Sequence, residues 1–290
     1  EISNLAYNTT YYYCAYATNG VGTAYGTSYS FTTLPTPYSI TGDNSYCIGG
    51  TGVEIGLSDS DLGIEYQLKL DGENVGTSFI GTGNPFSFDG LFNTLGIYTI
   101  VGTNTTTLLS KQMNGEIDLT VNPLPTANIY GSITICRYQI AYLVSQLTGT
   151  PPWSLTYSDG VTINNIFTNF NVRPVNPLET TEYTITNVTD GNGCSNIGTS
   201  SATVTVRPEA TADLSGSATI CPGESASLQI ELTGIAPFTI EFSDGFSIYY
   251  TSGYSYTRLV SPNITTNYTI SVTDGCNLPA LVTGNALITV

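Results

Sequence analysis

Ala226, Leu228, Ile230 and Leu232 alternate with Ser227, Gln229 and Glu231. Trp153, Leu155 and Tyr157 follow the same rule, as do Phe238, Ile240 and Phe242. A period of two puts the apolar side chains on one face of an extended chain, which predicts half-buried strands. Gly, Pro, Asn and Asp bound these runs, and helical periodicity is nearly absent. Many short strands separated by such turns predict a sandwich or a barrel.

The pattern repeats. Tyr98-Thr99-Ile100, Tyr183-Thr184-Ile185 and Tyr268-Thr269-Ile270 follow one another at intervals of 85 residues. Cys136 and Cys221 share that interval, and Cys47 lies 89 residues before Cys136. Three closing strands match, at Ile117 to Val121, Ala202 to Val206 and Ala286 to Val290. Pro-containing linkers, Asn122-Pro123-Leu124-Pro125 and Arg207-Pro208, follow the first two. Three domains are expected, at residues 38–121, 126–206 and 210–290.

Residues 1–34 stand apart. Leu5 to Tyr13, Ala15 to Asn19, Gly22 to Gly26 and Ser30 to Leu34 resemble the last two strands of a fibronectin type III domain. Tyr11 falls where that family keeps its tyrosine-corner residue. An isolated hairpin is marginal in water, and this one would expose Tyr11, Tyr13 and Ala15. The missing strands are expected upstream of residue 1, or from another chain, and the chain is expected to continue at both ends.

Charge narrows the function. The 290 residues hold 6 Lys plus Arg against 22 Asp plus Glu, a net charge of −16. Such a chain repels phosphate backbones and anionic lipid, so neither nucleic acid nor membrane insertion is expected. Only 10% of the residues are charged, against about 25% in ordinary soluble domains; this polar, uncharged surface fits an extracellular β protein. There is no His, which removes the commonest general base and metal ligand. The six Cys form no CxxC pair, so a zinc knuckle is not expected. Lys69 and Lys111 sit in ordinary strand and loop contexts, and Glu65, Asp71 and Glu73 read as solvent-facing. No catalytic residue is assigned, and the chain is expected not to be an enzyme.

The three full domains resemble immunoglobulin-like repeats of giant cell-surface adhesins that gliding and related Bacteroidetes export by the type IX secretion pathway. The first repeat carries the likeness through Tyr46-Cys47-Ile48-Gly49-Gly50-Thr51-Gly52-Val53, Tyr66 to Gly72, Val75-Gly76, Gly96 to Val101 and Met113-Asn114-Gly115. The second and third carry Ile135-Cys136 with Gly149 and Trp153, and Ile220-Cys221-Pro222-Gly223 with Pro237-Phe238. Each ends in Tyr-Thr-Ile and a Cys beyond an Asp-Gly or Asn-Gly turn. The resemblance implies tandem immunoglobulin-like β-sandwiches arranged end to end, preceded by the fibronectin hairpin. It also implies an extracellular place on the cell surface, in long filaments, and adhesion to surfaces or polysaccharide. One departure stands out. The family pattern of the first repeat has a Cys near the final hairpin, where this chain has Leu109.

Other candidates compete with plainer roles. Asp59 and Asp61, in Ser58-Asp59-Ser60-Asp61-Leu62-Gly63, are candidate calcium ligands, although they lack EF-hand spacing and read equally as a polar turn. Tyr12, Tyr16, Tyr249, Tyr250, Tyr254 and Tyr256 are candidate exposed rings, the last four for ligand binding; strand propensity alone also selects Tyr. Asn8, Asn104, Asn187, Asn263 and Asn267 head Asn-X-Thr sequons, as often as chance gives in a chain this rich in Asn and Thr. Trp153 and Phe238 are expected to pack their cores.

An exported β protein should oxidise its cysteines. Pairing within domains joins Cys136 to Cys194 and Cys221 to Cys276, leaving Cys14 and Cys47 alone. The expected topology favours another scheme. Cys221 precedes the turn after the first strand, and Cys276 follows the last hairpin, at the opposite pole. A strand of six or seven residues separates the poles by about 20 Å, whereas a disulfide spans under about 7 Å between Cα atoms. Pairing across domains then joins Cys47 to Cys194 and Cys136 to Cys276. Cys221 is left for a further repeat, and Cys14 has no assigned partner. Both schemes remain open at this point; a Cys136–Cys194 bond would exclude the second.

The function expected is a structural or adhesive stalk segment. Its partners would be neighbouring domains of the same long chain, with surface polysaccharide or another cell-surface protein. The alternatives are a carbohydrate- or protein-binding module on Tyr-rich faces, and an accessory region of an enzyme whose catalytic domain lies elsewhere.

Overall fold

The computed structural model describes residues 3–251 and 253–290. All regular structure among them is β. The chain forms two units, residues 1–124 with Gly191–Cys194, and residues 125–190 with 195–290.

The first unit opens with a long hairpin. Thr10–Tyr13 pairs antiparallel with Tyr29–Thr32, and Tyr16–Thr18 with Thr23–Tyr25. Tyr11 is half-buried, not exposed as expected, because its ring stacks on Phe31 at 5.9 Å. Its hydroxyl accepts a hydrogen bond from the Ala6 amide at 2.8 Å. Tyr13 is exposed. A sandwich follows. Ile64–Leu70 pairs with Gly96–Asn104, which pairs with Ile117–Asn122, and Ser45–Cys47 joins that last strand in parallel. A second sheet holds Ile40–Thr41, Gly56–Leu57 and Phe86–Ser87. Between the sheets lies a core that includes Ile55, Leu57, Tyr66, Leu68, Tyr98 and Ile100.

The second unit contains two sandwiches. In one, Ala127–Tyr130, Ala141–Leu147 and Phe170–Val175 form a three-stranded sheet. It faces a sheet ordered Ile133–Ile135, Ser201–Val206, Thr181–Thr189, Trp153–Tyr157 and Thr162–Ile166. Leu143, Trp153, Leu155, Tyr157 and Ile185 are buried between them. In the other, Thr211–Ser215, Ala226–Leu232 and Ser255–Val260 repeat the first sheet. Phe238–Phe242 pairs with Ser247–Tyr250 and Ile270–Thr273, and Phe238, Ile240 and Phe242 enter a separate core. The period-two pattern is the cause: Ala226–Leu232 and Ala141–Leu147 bury every second residue. The chain is therefore an all-β protein of tandem immunoglobulin-like sandwiches.

A glycine lets the opening strand change sheets. Ala127–Tyr130 lies in one sheet and Ile133–Ile135 in the other, with Gly131 between them at φ +119°. A Cβ there would come within 2.5 Å of the Tyr142 carbonyl oxygen. Gly216, 85 residues on, has φ +114° and would meet the Ser227 carbonyl oxygen at 2.4 Å. Only glycine fits such a conformation at so close an approach. The crossing delivers the chain to the edge that carries Cys136.

Candidate functional site: the cysteine staples

One local device positions Cys47, Cys136 and Cys221. In each repeat a short strand runs parallel to the closing strand, pairing Cys47 with Asn122, Ile135 with Val206 and Thr219 with Thr289. A tight turn follows. The amides of Gly50, Gln139 and Glu224 donate to the carbonyls of Cys47, Cys136 and Cys221 at 2.8, 3.1 and 3.0 Å. In the later two repeats the side chain at the turn's fourth position returns the bond. Gln139 Oε1 accepts from the Cys136 amide at 3.0 Å, and Glu224 Oε2 from the Cys221 amide at 2.9 Å.

Hairpin tips hold the other cysteines. Asp274, buried, accepts from the amides of Cys276 and Leu278 at 2.9 and 3.2 Å. The Gly275 amide donates to the Ile235 carbonyl at 2.7 Å. The carboxylate thus acts as a template for the tip. Asp190, equally buried, opens the hairpin of Cys194 and accepts from the Thr150 amide at 3.2 Å.

The structure bonds Cys47 to Cys194, with Cα atoms 5.5 Å apart, and Cys136 to Cys276, at 5.8 Å. These bonds span 147 and 140 residues. The pairs Cys136–Cys194 and Cys221–Cys276 do not form. Cys194 is fully buried and belongs, with the tip Gly191–Cys194, to the first unit. Cys14 is half-buried and Cys221 exposed, both as free thiols. Two such bonds require an oxidising compartment, so the protein is extracellular or secreted. Beside the Cys136–Cys276 bond lies a cavity of about 100 Å³ lined in part by Arg137, Arg207, Glu209 and Asp274. Arg137 reaches Glu209 at 3.4 Å. That volume admits a few waters and no saccharide.

The other candidates have definite places. Asp61 accepts from the Thr36 amide at 3.1 Å and the Tyr38 hydroxyl at 2.8 Å, while its own amide donates to the Tyr66 hydroxyl at 2.9 Å. Burial, with the Asp61 hydrogen bond and charge, pushes Tyr38 up to about 12; burial chiefly pushes Tyr66 up to about 12. Asp59 accepts from the adjacent Ser60 amide at 2.8 Å. Asp61 ties a loop to two tyrosines, and among the described residues no group of three or more His, Cys, Asp or Glu is placed to hold a metal. Tyr249 and Tyr254 are exposed. Tyr250 and Tyr256 are not: alternation turns both inward, where they pack on the core with ring centroids 5.4 Å apart. Trp153 and Phe238 are buried in their cores, and the indole Nε1 donates to the Thr148 carbonyl at 3.0 Å.

Two charged clamps escaped the reading of the sequence. Arg173 grips Asp159 with both terminal nitrogens and lies over Tyr157, 4.5 Å from the ring centre. Arg258 grips Asp244 in the same way. The signal was present, because Asp159 and Asp244 stand 85 residues apart, as do Arg173 and Arg258.

No protein-family profile matches the chain, and no curated protein matches it. Solved structures do. An I-band fragment of titin is 13% identical, over 87% of this chain and 93% of the fragment, with a TM-score of 0.42. A marsupial T cell receptor is 14% identical, over 81% and 96%, at 0.38. The full ectodomain of mouse nectin-like molecule 4 is 17% identical, over 62% and 69%, at 0.25. The fold assignment rests on the strand pairings and cores described above.

Proposed function

We propose that this chain is a structural or adhesive stalk segment of a long extracellular surface protein, of the kind built by Bacteroidetes adhesins of the type IX pathway. One observation carries the reading. Each disulfide spans more residues than a repeat contains, and the two spans overlap between Cys136 and Cys194. Bonds of that topology join successive repeats and interlock, a use suited to resisting tension. The absence of His and the low charge support a role without catalysis, nucleic acid or membrane insertion. Its partners in this reading are neighbouring domains of the same chain and surface polysaccharide or cell-surface protein.

Pulling tests it. The shortest covalent path from end to end runs to Cys47, crosses to Cys194, returns to Cys136, crosses to Cys276 and leaves. It holds roughly 120 residues, or roughly 400 Å of extended chain at about 3.5 Å each. The reduced chain of 290 residues reaches roughly 1,000 Å. Single-molecule extension of the oxidised chain should stop near the shorter limit. Extension of the oxidised chain to the longer limit would show that the two bonds do not carry the load, and would remove the observation on which the stalk reading rests.

A further inference from the structure

The outer face of the sheet formed by Ala127–Tyr130, Ala141–Leu147 and Phe170–Val175 is apolar where a solvated sheet should be polar. Tyr130, Tyr142, Phe170 and Val172 are 50, 60, 50 and 58% exposed. The register sets them side by side: Tyr130, Val144 and Val172 form one row across the sheet, Asn128, Gln146 and Phe170 the next, and Tyr142 faces Pro174. Arg173, the one charged residue of these three strands, points inward to Asp159.

The third repeat supplies an internal comparison. Moving 85 residues along the chain replaces Tyr130, Tyr142, Phe170 and Val172 with Ser215, Ser227, Ser255 and Thr257, and Asn128 and Gln146 with Asp213 and Glu231. Those residues hold the same places, since Ser215 pairs with Gln229 and Gln229 with Thr257. Apart from Leu259, which stands in the place of Pro174, the sandwich therefore folds with a polar, charged face. The apolar face of the second repeat is not a demand of the fold.

Size and charge choose its occupant. Strand spacing makes the patch about 10 Å across and about 14 Å along, a few hundred Å² with its side chains. A stable protein interface needs about 800 Å² on each partner. A second copy would also bring a net charge of −16 against a chain of equal charge, which opposes association. Three rings spread over the patch, beside two amides and no charge, fit a neutral ligand that has apolar C–H faces to stack on aromatics and hydroxyls to accept from the amide nitrogens of Asn128 and Gln146, whose oxygens already accept from the hydroxyls of Thr199 and Tyr130. We infer that this face binds a neutral oligosaccharide, with Tyr130, Tyr142 and Phe170 as the stacking rings. The inference stands whether or not the chain serves as a stalk.

The test uses the whole oxidised chain and hexasaccharides of β-1,4-linked glucose, mannose and N-acetylglucosamine, with hexagalacturonate as the charged control. Saturation-transfer NMR and calorimetry should detect at least one neutral hexasaccharide. The triple variant Tyr130→Ser, Tyr142→Ser, Phe170→Ser, which takes the third repeat's own residues, should bind it roughly tenfold or more weakly with an unchanged disulfide map. Single Tyr142→Phe, which keeps the ring, should retain most of the binding. The inference fails if no neutral hexasaccharide binds, if only the acidic one does, or if the triple variant binds as well as the parent. It fails also if sedimentation shows self-association that the triple variant abolishes, for then the occupant is a second copy.

Discussion

Arg258 holds Asp244 with two nitrogens, at 2.9 and 2.6 Å, while its guanidinium carbon lies over the rings of Phe242 and Phe246, 4.4 and 4.2 Å from their centres. The guanidinium fork takes both carboxylate oxygens while its carbon stays over the two rings, a combination that lysine cannot copy. It ties the turn after Phe238–Phe242 to the strand Ser255–Val260 across the two sheets. Arg173 and Asp159 do the same in the second repeat.

These clamps predict the acid limit of stability. The hydrogen bonds from Arg258 hold the Asp244 carboxyl below its usual value of 3.8, and those from Arg173 do so for Asp159. A carboxyl whose folded pKa is depressed stabilises the fold above its unfolded pKa and loses that contribution as pH falls through the folded one. Stability should be flat from pH 7 to about 5 and decline below about 4. Asp244→Asn should cost about 1–2 kcal/mol at pH 7, because the site is partly exposed, and should flatten the acid decline. Urea denaturation between pH 2 and 7 measures both; an Asp244→Asn decline as steep as the parent's would contradict the assignment.

Burial separates two aromatic residues of one repeat. Phe238 is fully enclosed and Tyr249 is mostly exposed, though they lie on paired strands with Thr239 facing Tyr249. Phe238→Ala should lose about 3–5 kcal/mol, and Tyr249→Ala less than about 0.5 kcal/mol. Thermal melts of the two variants check the contrast.

Much of this architecture was legible in the chain. Strands such as Ala226–Leu232 face one core, so every second residue had to be apolar, and the 85-residue interval exposed the repeats. Features that depend on partners distant in sequence were not legible. Asp61 read as a calcium candidate because its partners, Thr36 and Tyr38, lie about 25 residues away. Tyr250 and Tyr256 read as exposed because their facing depends on distant pairings, of Ser247–Tyr250 with Phe238–Phe242 and of Ser255–Val260 with Ala226–Leu232. Asp159 and Asp244 carried no assignment, because the arginines that clamp them, Arg173 and Arg258, stand 14 residues further along the chain. The cysteines differ. A sandwich keeps its first turn and last hairpin at opposite poles, and that constraint on distance favoured pairing across domains while leaving both schemes open until the bonds themselves, Cys47–Cys194 and Cys136–Cys276, decided.

Gly131 offers a test of the sheet-crossing kink. At φ +119° and with the Tyr142 carbonyl so near, Gly131→Ala must both strain its backbone and push a paired strand aside. The expected loss is about 2–3 kcal/mol. Gly160→Ala also has a positive φ, +83°, but open space around the added methyl; it should lose about 1 kcal/mol. Chemical denaturation of the pair separates the strain from the clash, and equal losses would remove the role given to the Tyr142 carbonyl.

The Cys136–Cys276 bond closes a span of 140 residues. In the chain-entropy account such a loop restricts the unfolded ensemble by up to about 5 kcal/mol. Replacing one cysteine would leave a reactive thiol, so the informative variant is the double one, Cys136→Ser with Cys276→Ser. It should fold, because each sandwich has its own core, but unfold some 10 °C lower, at about 2–4 °C per kcal/mol in units of this size. The second staple limits the effect. Residues between Cys136 and Cys194 lie inside both loops, so the remaining bond already restricts part of the same unfolded chain. Each single loss is measured with the other bond still restricting the chain, so removing both bonds should cost more than the sum of the separate losses. Calorimetry of the parent, the two double variants and the quadruple variant measures that excess. Strict additivity would show that the loops act independently and that interlocking contributes nothing to stability.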